Sequence, residues 1–205
     1  MIAETLSSFA IAGHINDCKD FVEKLWRRAL DVRLHYKKDE LQDLAKFYAA
    51  AQIEGANLNL EQPPNSLLEQ MEAVTTAAEE STEMNNCKEI SDTLTELNID
   101  HKMEVSPFEF GDINFNTSTL NVNIVISART KENKRVAIEF NGPRHYVQCN
   151  GGDVENGKTK FKRRLMEGLG FTVVSIHWDD WRKAREAKTQ QVFLFKLIYK
   201  SIGLA

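Results

Sequence analysis

Two groups of residues in this chain bear on its chemistry: a carboxylate set in an apolar run, and a cluster of cations suited to phosphate. The first is Glu139 in Val136-Ala-Ile-Glu-Phe140, followed by Asn141-Gly142-Pro143 and then by Arg144 and His145. The run is short and mostly apolar and stops at a tight turn, so it reads as a buried strand. A carboxylate there must be paired, hydrogen-bonded, metal-bound or turned to solvent, because burying it bare costs several kcal/mol. His145 has the chemistry of a general base, but a lone His after a turn is expected to anchor the loop to Glu139 or a backbone carbonyl. The second group is Lys158, Lys160, Lys162, Arg163 and Arg164, five cations within two helical turns. Lys158 and Lys162 share one helix face and Lys160 and Arg164 another. With Arg144 added from the strand's end, such a surface contacts phosphates and fixes register without reading sequence.

The elements that must position these groups follow from periodicity. Phe161, Leu165 and Leu169 turn one side of the basic helix inward, Gly170 ends it, and Phe171 to Trp178 forms a second apolar strand. Asp179-Asp180-Trp181 then opens a last helix, in which Trp181 is expected to pack. Upstream, Cys87 to Leu97 reads as a helix, and Lys102–Phe110, Asp112–Phe115 and Leu120–Ser127 as strands. Lys131 to Lys134 makes a hairpin into Val136. The strand-helix-strand crossing from 136 to 178 predicts two parallel strands. Before all this, apolar residues recur at helical spacing from Phe9 through Trp26 to Phe47 and Tyr48, and again from Leu67 to Val74 after Pro63-Pro64. The fold class expected is α+β: a helical array over 1–74, an acidic linker over 75–86, and a small mixed sheet flanked by helices over 87–205.

Composition sets the class of partner. Residues 1–134 hold 13 Lys and Arg against 23 Asp and Glu, a net of −10, while 135–205 hold 13 against 7, a net of +6. The basic end is where a polyanion would sit, unless it docks an acidic protein surface. No stretch approaches the roughly 20 unbroken apolar residues of a membrane span, so no membrane partner is expected. Cys18, Cys87 and Cys149 are odd in number and widely spaced, which supports neither a disulfide framework nor a zinc knuckle and is ordinary for a reducing compartment. The first sixteen residues hold Glu4 and no Lys or Arg, unlike an organelle presequence, so either the chain is cytosolic or a targeting segment has been removed or lies outside this sequence.

From Val136 to about Leu197 the chain resembles a RAP domain, named as an RNA-binding domain abundant in apicomplexans. The matching residues are Ala137-Ile-Glu-Phe-Asn-Gly-Pro-Arg-His145, Lys160 through Leu165, Leu169-Gly-Phe171, Val173-Val-Ser-Ile176 and Trp181. Leu25-Trp-Arg-Arg-Ala29, Leu34-His-Tyr36 and Leu41 to Ala49 resemble the degenerate helical pairs that precede such domains. The resemblance implies a restriction-endonuclease-like core. A nuclease of that core holds divalent cations between acidic residues on adjacent strands, commonly with a nearby Lys. Glu139 matches one carboxylate position. Asn123 stands where an aspartate is expected, and Asn141 where RAP sequences usually have Asp and nucleases often have Lys. Amides bring no charge to balance a hard cation, so the site Glu139, Asn123, Asn141 and His145 is expected to be degenerate, with no metal, no cofactor and no catalysis. The expected function is RNA binding through Arg144, Lys158, Lys160, Lys162, Arg163 and Arg164. Its expected setting is an organelle ribonucleoprotein, mitochondrial or else plastid. Ribosomal RNA and neighbouring proteins of a mitochondrial ribosome are the expected partners. A metal-dependent RNA endonuclease and a protein-protein adaptor that has lost RNA contact are the competing classes.

Overall fold

In a computed structural model that describes residues 1–31, 35–55, 57–74, 81–110, 113, 115 and 120–203, the helical spacing of the first part resolves into four helices. They are α1 (Ile2–Ala12), α2 (Lys19–Ala29), α3 (Lys38–Glu54) and α4 (Asn65–Ala73). Then come α5 (Ser81–Glu96), β1 (His101–Val105), β2 (Val122–Arg129), β3 (Arg135–Asn141), β4 (Tyr146–Cys149) and β5 (Gly152–Glu155). The chain continues through α6 (Gly157–Gly168), β6 (Phe171–His177), α7 (Trp178–Glu186) and α8 (Gln190–Ile202). Among the described residues no helix is long and apolar enough to cross a membrane.

Contacts group the chain into two units. The first comprises Met1–Ala77, Phe108–Leu120 and Gly157–Leu169; the second comprises Ala78–Pro107, Asn121–Asn156 and Gly170–Ala205. In the first unit Trp26 is buried, stacks on Tyr48 at 5.5 Å and gives its indole N–H to the Glu61 carbonyl at 2.8 Å. An indole needs that acceptor to be buried without cost. Phe161 and Leu165 of α6 join the same cluster as Leu6, Ala10, Leu44 and Phe47. The basic helix, expected from sequence in the C-terminal domain, therefore packs with the N-terminal helices.

In the second unit the sheet order is β1-β2-β3-β6. The Lys131–Lys134 turn makes β2 and β3 antiparallel, and β3 and β6 pair in parallel from Arg135–Phe171 to Asn141–His177, as the crossover demands. Alternation sends Ile138, Phe140, Val174 and Ile176 to one face, where they meet Ile90 and Leu94 of α5, Trp181 of α7 and Leu194 and Ile198 of α8. Glu139 and Asn141 point to the other face.

Several expected boundaries move. The strand expected to reach Phe110 ends at Val105, and a 3-10 turn occupies Pro107–Phe110, because Pro107 has no N–H for a ladder. The expected strand 112–115 lies largely outside the described residues, as do Leu34 and the linker over 75–80, while Ser81 already opens α5. Gly151-Gly152 lies at the tip of the β4–β5 hairpin, where Gly152 takes φ 113°. The last helix is two, broken at Lys188, which takes φ 54°.

Candidate nucleic-acid interface

Glu139 is 6% exposed and Asn123 lies opposite it on β2. The Asn123 backbone N–H donates to Glu139 Oε1 at 3.1 Å, and the Phe140 N–H donates to Asn123 Oδ1 at 3.0 Å. Each side chain thus takes a backbone donor from the other strand, which is how a carboxylate survives inside an apolar strand. Asn141 is 2% exposed, and among the described residues its Nδ2 finds no well-formed hydrogen bond, although the side chain lies beside the Tyr146 phenol. A hard divalent cation needs oxygen ligands and negative charge. This place offers one carboxylate that already accepts a backbone amide, flanked by two amide side chains, so its residues do not fit such a cation. Among the described residues no three His, Cys, Asp or Glu side chains come together in a way that could hold a metal.

The turn after β3 is held from outside the strand. The His145 N–H returns to the Gly142 carbonyl at 3.0 Å, while Asn156 donates its N–H to the His145 carbonyl at 2.9 Å and its Nδ2 to the Arg144 carbonyl at 2.8 Å. Glu83, in the first turn of α5, reaches Arg144 at 3.5 Å and His145 Nε2 at 3.6 Å. A Cβ on Gly142 would collide with that same carboxylate. His145 was expected to anchor the turn to Glu139 or to a backbone carbonyl, and its Nε2 meets Glu83 of α5. Sequence could not offer Glu83, since nothing local marks one acid of an acidic stretch as a partner for a turn so far along the chain.

Beyond the turn, the Tyr146 ring lies 4.4 Å from that of His177, and burial pushes the Tyr146 phenol above its ordinary pKa. His177 Nδ1 accepts the Asp179 N–H at 3.2 Å and so caps α7, which leaves its Nε2 proton for Asp153 Oδ2 at 3.3 Å. Asp153 is therefore engaged by His177.

The six cations expected to bind RNA are not equivalent. Arg144 is exposed but shared with Glu83. In the first unit, Lys158 and Lys160 are exposed, and Lys162 and Arg163 are half-buried with interactions of their own. Arg164 is committed to packing: its Nε meets Glu54 Oε1 at 2.5 Å, and its terminal nitrogens reach the Ala10 carbonyl at 2.5 Å and that of Ile11 at 3.5 Å. Those carbonyls lie in the last turn of α1, where that of Ala10 also accepts the Gly13 N–H at 3.1 Å, so the guanidinium adds to their hydrogen bonding and complements the helix dipole. The set offered to a phosphate backbone is thus narrower than the charge count, with Lys158 and Lys160 its freest members.

Compared with curated proteins, the chain matches none. The RAP domain family model matches residues 138–197, from within β3 through α6 and β6 into α8. The matched stretch carries Glu139, the Gly142–His145 turn and the basic helix.

Proposed function

We propose that this protein binds RNA through its RAP domain and does not cut it. The RAP match supports RNA as the partner. The single observation that carries the absence of cutting is the exchange between Glu139 and Asn123, in which the carboxylate that would ligate a cation accepts a backbone amide and its neighbour is itself an amide. The sheet, with antiparallel β1, β2 and β3 and a parallel β6, is read as a restriction-endonuclease-like core that has kept its strands and lost its ligands. The organelle setting, mitochondrial or else plastid, and a place in a ribonucleoprotein such as the mitochondrial ribosome, rest on the resemblance to RAP proteins.

The test is to incubate the full chain with labelled single-stranded, duplex and hairpin RNA in magnesium or manganese, with gel-shift and cleavage read from the same samples. Shifted and intact RNA, unaffected by Glu139→Ala, is the expected result. Divalent-dependent cleavage that Glu139→Ala abolishes would overturn the reading in favour of a nuclease. Fractionation of tagged protein, and its co-sedimentation with ribosomal particles, tests the setting.

A further inference from the structure

Helix α8 carries two stripes. Leu194, Ile198 and Ile202 face the core of the second unit. On the other side Val192, Phe195 and Tyr199 recur at i, i+3 and i+7 and are 53%, 43% and 37% exposed. The core does not need them. Phe195 and Tyr199, one turn apart, lie with ring centroids 4.0 Å apart and planes at 30°, so they form a single aromatic ledge on the protein surface.

The charges on α8 itself have one sign, and the acid seen beside it, Glu96 of α5, is engaged by Gln191 at the start of the helix. Between Gln190 and Ile202 the sequence holds Lys196 and Lys200 and no Asp or Glu, and both lysines are exposed. Lys131 brings a third cation to the end of the helix, its Cδ lying 3.4 Å from where a Cβ on Gly203 would stand. Among the described residues none of these three forms an ion pair. They differ in this from Arg144 and Arg164, whose charge the fold has already used.

We infer that this face of α8 is a stacking platform for unpaired bases of single-stranded RNA, with Phe195 and Tyr199 meeting the base faces and Lys196, Lys200 and Lys131 meeting the phosphates. The inference rests on the RNA-binding reading above and adds where, and in what form, the RNA is held. Stacking on an aromatic side chain is open to every base, because each has a π face, and cations flanking the rings track the backbone. An apolar groove on a protein would cover the rings, and only one rimmed with acids would also answer the lysines. A single strand supplies π faces and negative charge together. Duplex RNA has its bases already stacked and cannot use the ledge.

The experiment measures affinity of the full chain for a fluorescein-labelled uridine dodecamer and for a duplex of the same length, by anisotropy over a range of salt. Phe195→Leu/Tyr199→Leu keeps apolar area and helix propensity but removes both π faces. It is expected to weaken single-strand binding about tenfold, since removing a base stack is worth about 1–3 kcal/mol, while duplex binding and the salt slope stay as they were. Lys196→Gln/Lys200→Gln is expected to flatten the single-strand salt slope by about 0.7 for each phosphate that the variant no longer neutralises. Ultraviolet crosslinking should place nucleotide adducts on the tryptic peptides Thr189–Lys196 and Leu197–Lys200. Unchanged single-strand affinity in the leucine variant, with its circular dichroism intact, overturns the platform and leaves the face to a protein. RNA binding by the wild type then still stands. If the wild type binds neither RNA, the RNA-binding reading itself fails and takes the platform with it.

Discussion

Glu139 and Asn123 face each other across β3 and β2, and each accepts a hydrogen bond from the other strand's backbone: Oε1 of Glu139 at 3.1 Å from the Asn123 N–H, Oδ1 of Asn123 at 3.0 Å from the Phe140 N–H. The pair works as a strand clasp. An amide oxygen can replace the carboxylate in that role, whereas a methyl group leaves a buried N–H without an acceptor. Glu139→Gln is therefore expected to cost less than about 1 kcal/mol, and Glu139→Ala about 1–3 kcal/mol, in urea denaturation. Equal losses in the two variants would mean that the negative charge, and not the acceptor, is what the fold uses.

Arg164 belongs to the packing of the first unit. Its guanidinium serves Glu54 and the carbonyls of Ala10 and Ile11 at once, from a position about a third exposed. Arg164→Gln is expected to destabilise the protein by about 1–3 kcal/mol, and Arg164→Lys by nearly as much, because an ammonium cannot fork to all three acceptors. Lys160→Gln, an exposed change, is expected to stay within about 0.5 kcal/mol. Thermal melting compares the three, and a stable Arg164→Gln protein with weakened RNA binding would return Arg164 to the interface.

Glu83 holds the Gly142–His145 turn from α5 through Arg144 and His145. Its removal should free the turn locally without unfolding the sheet, whose core lies on the other face of β3. With Glu83→Ala, trypsin is expected to cut after Arg144 roughly fivefold faster, the equivalent of about 1 kcal/mol of local opening. An unchanged cleavage rate would show that Asn156 alone keeps the turn closed.

Asp179 accepts hydrogen bonds from Lys183 and from Arg182, which hold its carboxyl at about 2 against an ordinary 3.8. The folded pKa lies below the unfolded one, so the stabilisation is fully present above the unfolded value and is lost as pH falls through the folded one. Between about pH 4 and pH 2 the melting temperature should fall less steeply in Asp179→Asn than in the parent. Parallel curves for the two proteins would remove Asp179 from the acid response.

Much of the second unit was legible in the order of its residues. Alternation in Val136–Phe140 and Phe171–Ile176 marks two strands, and the helix between them demands that they run parallel, as they do. Phe161 and Leu165 mark the buried side of α6, and Trp181 at helical spacing marks a core position, 0% exposed in the fold. The outward stripe of α8 was not, since Val192 to Tyr199 is apolar on nearly every face and only packing shows that Leu194, Ile198 and Ile202 turn inward.

What tertiary structure alone decided was which charges are spent. Periodicity places a side chain on a face but carries no information about a partner far along the chain. Arg164 meets Glu54 across 110 positions and Arg144 meets Glu83 in another helix, so counting cations on α6 overstated its free charge. The same holds for the buried carboxylate. That Glu139 needed a partner followed from its place in an apolar run, because bare burial is too costly. That the partner was a backbone N–H of Asn123 depended on the register of β2 against β3, which only the paired strands set.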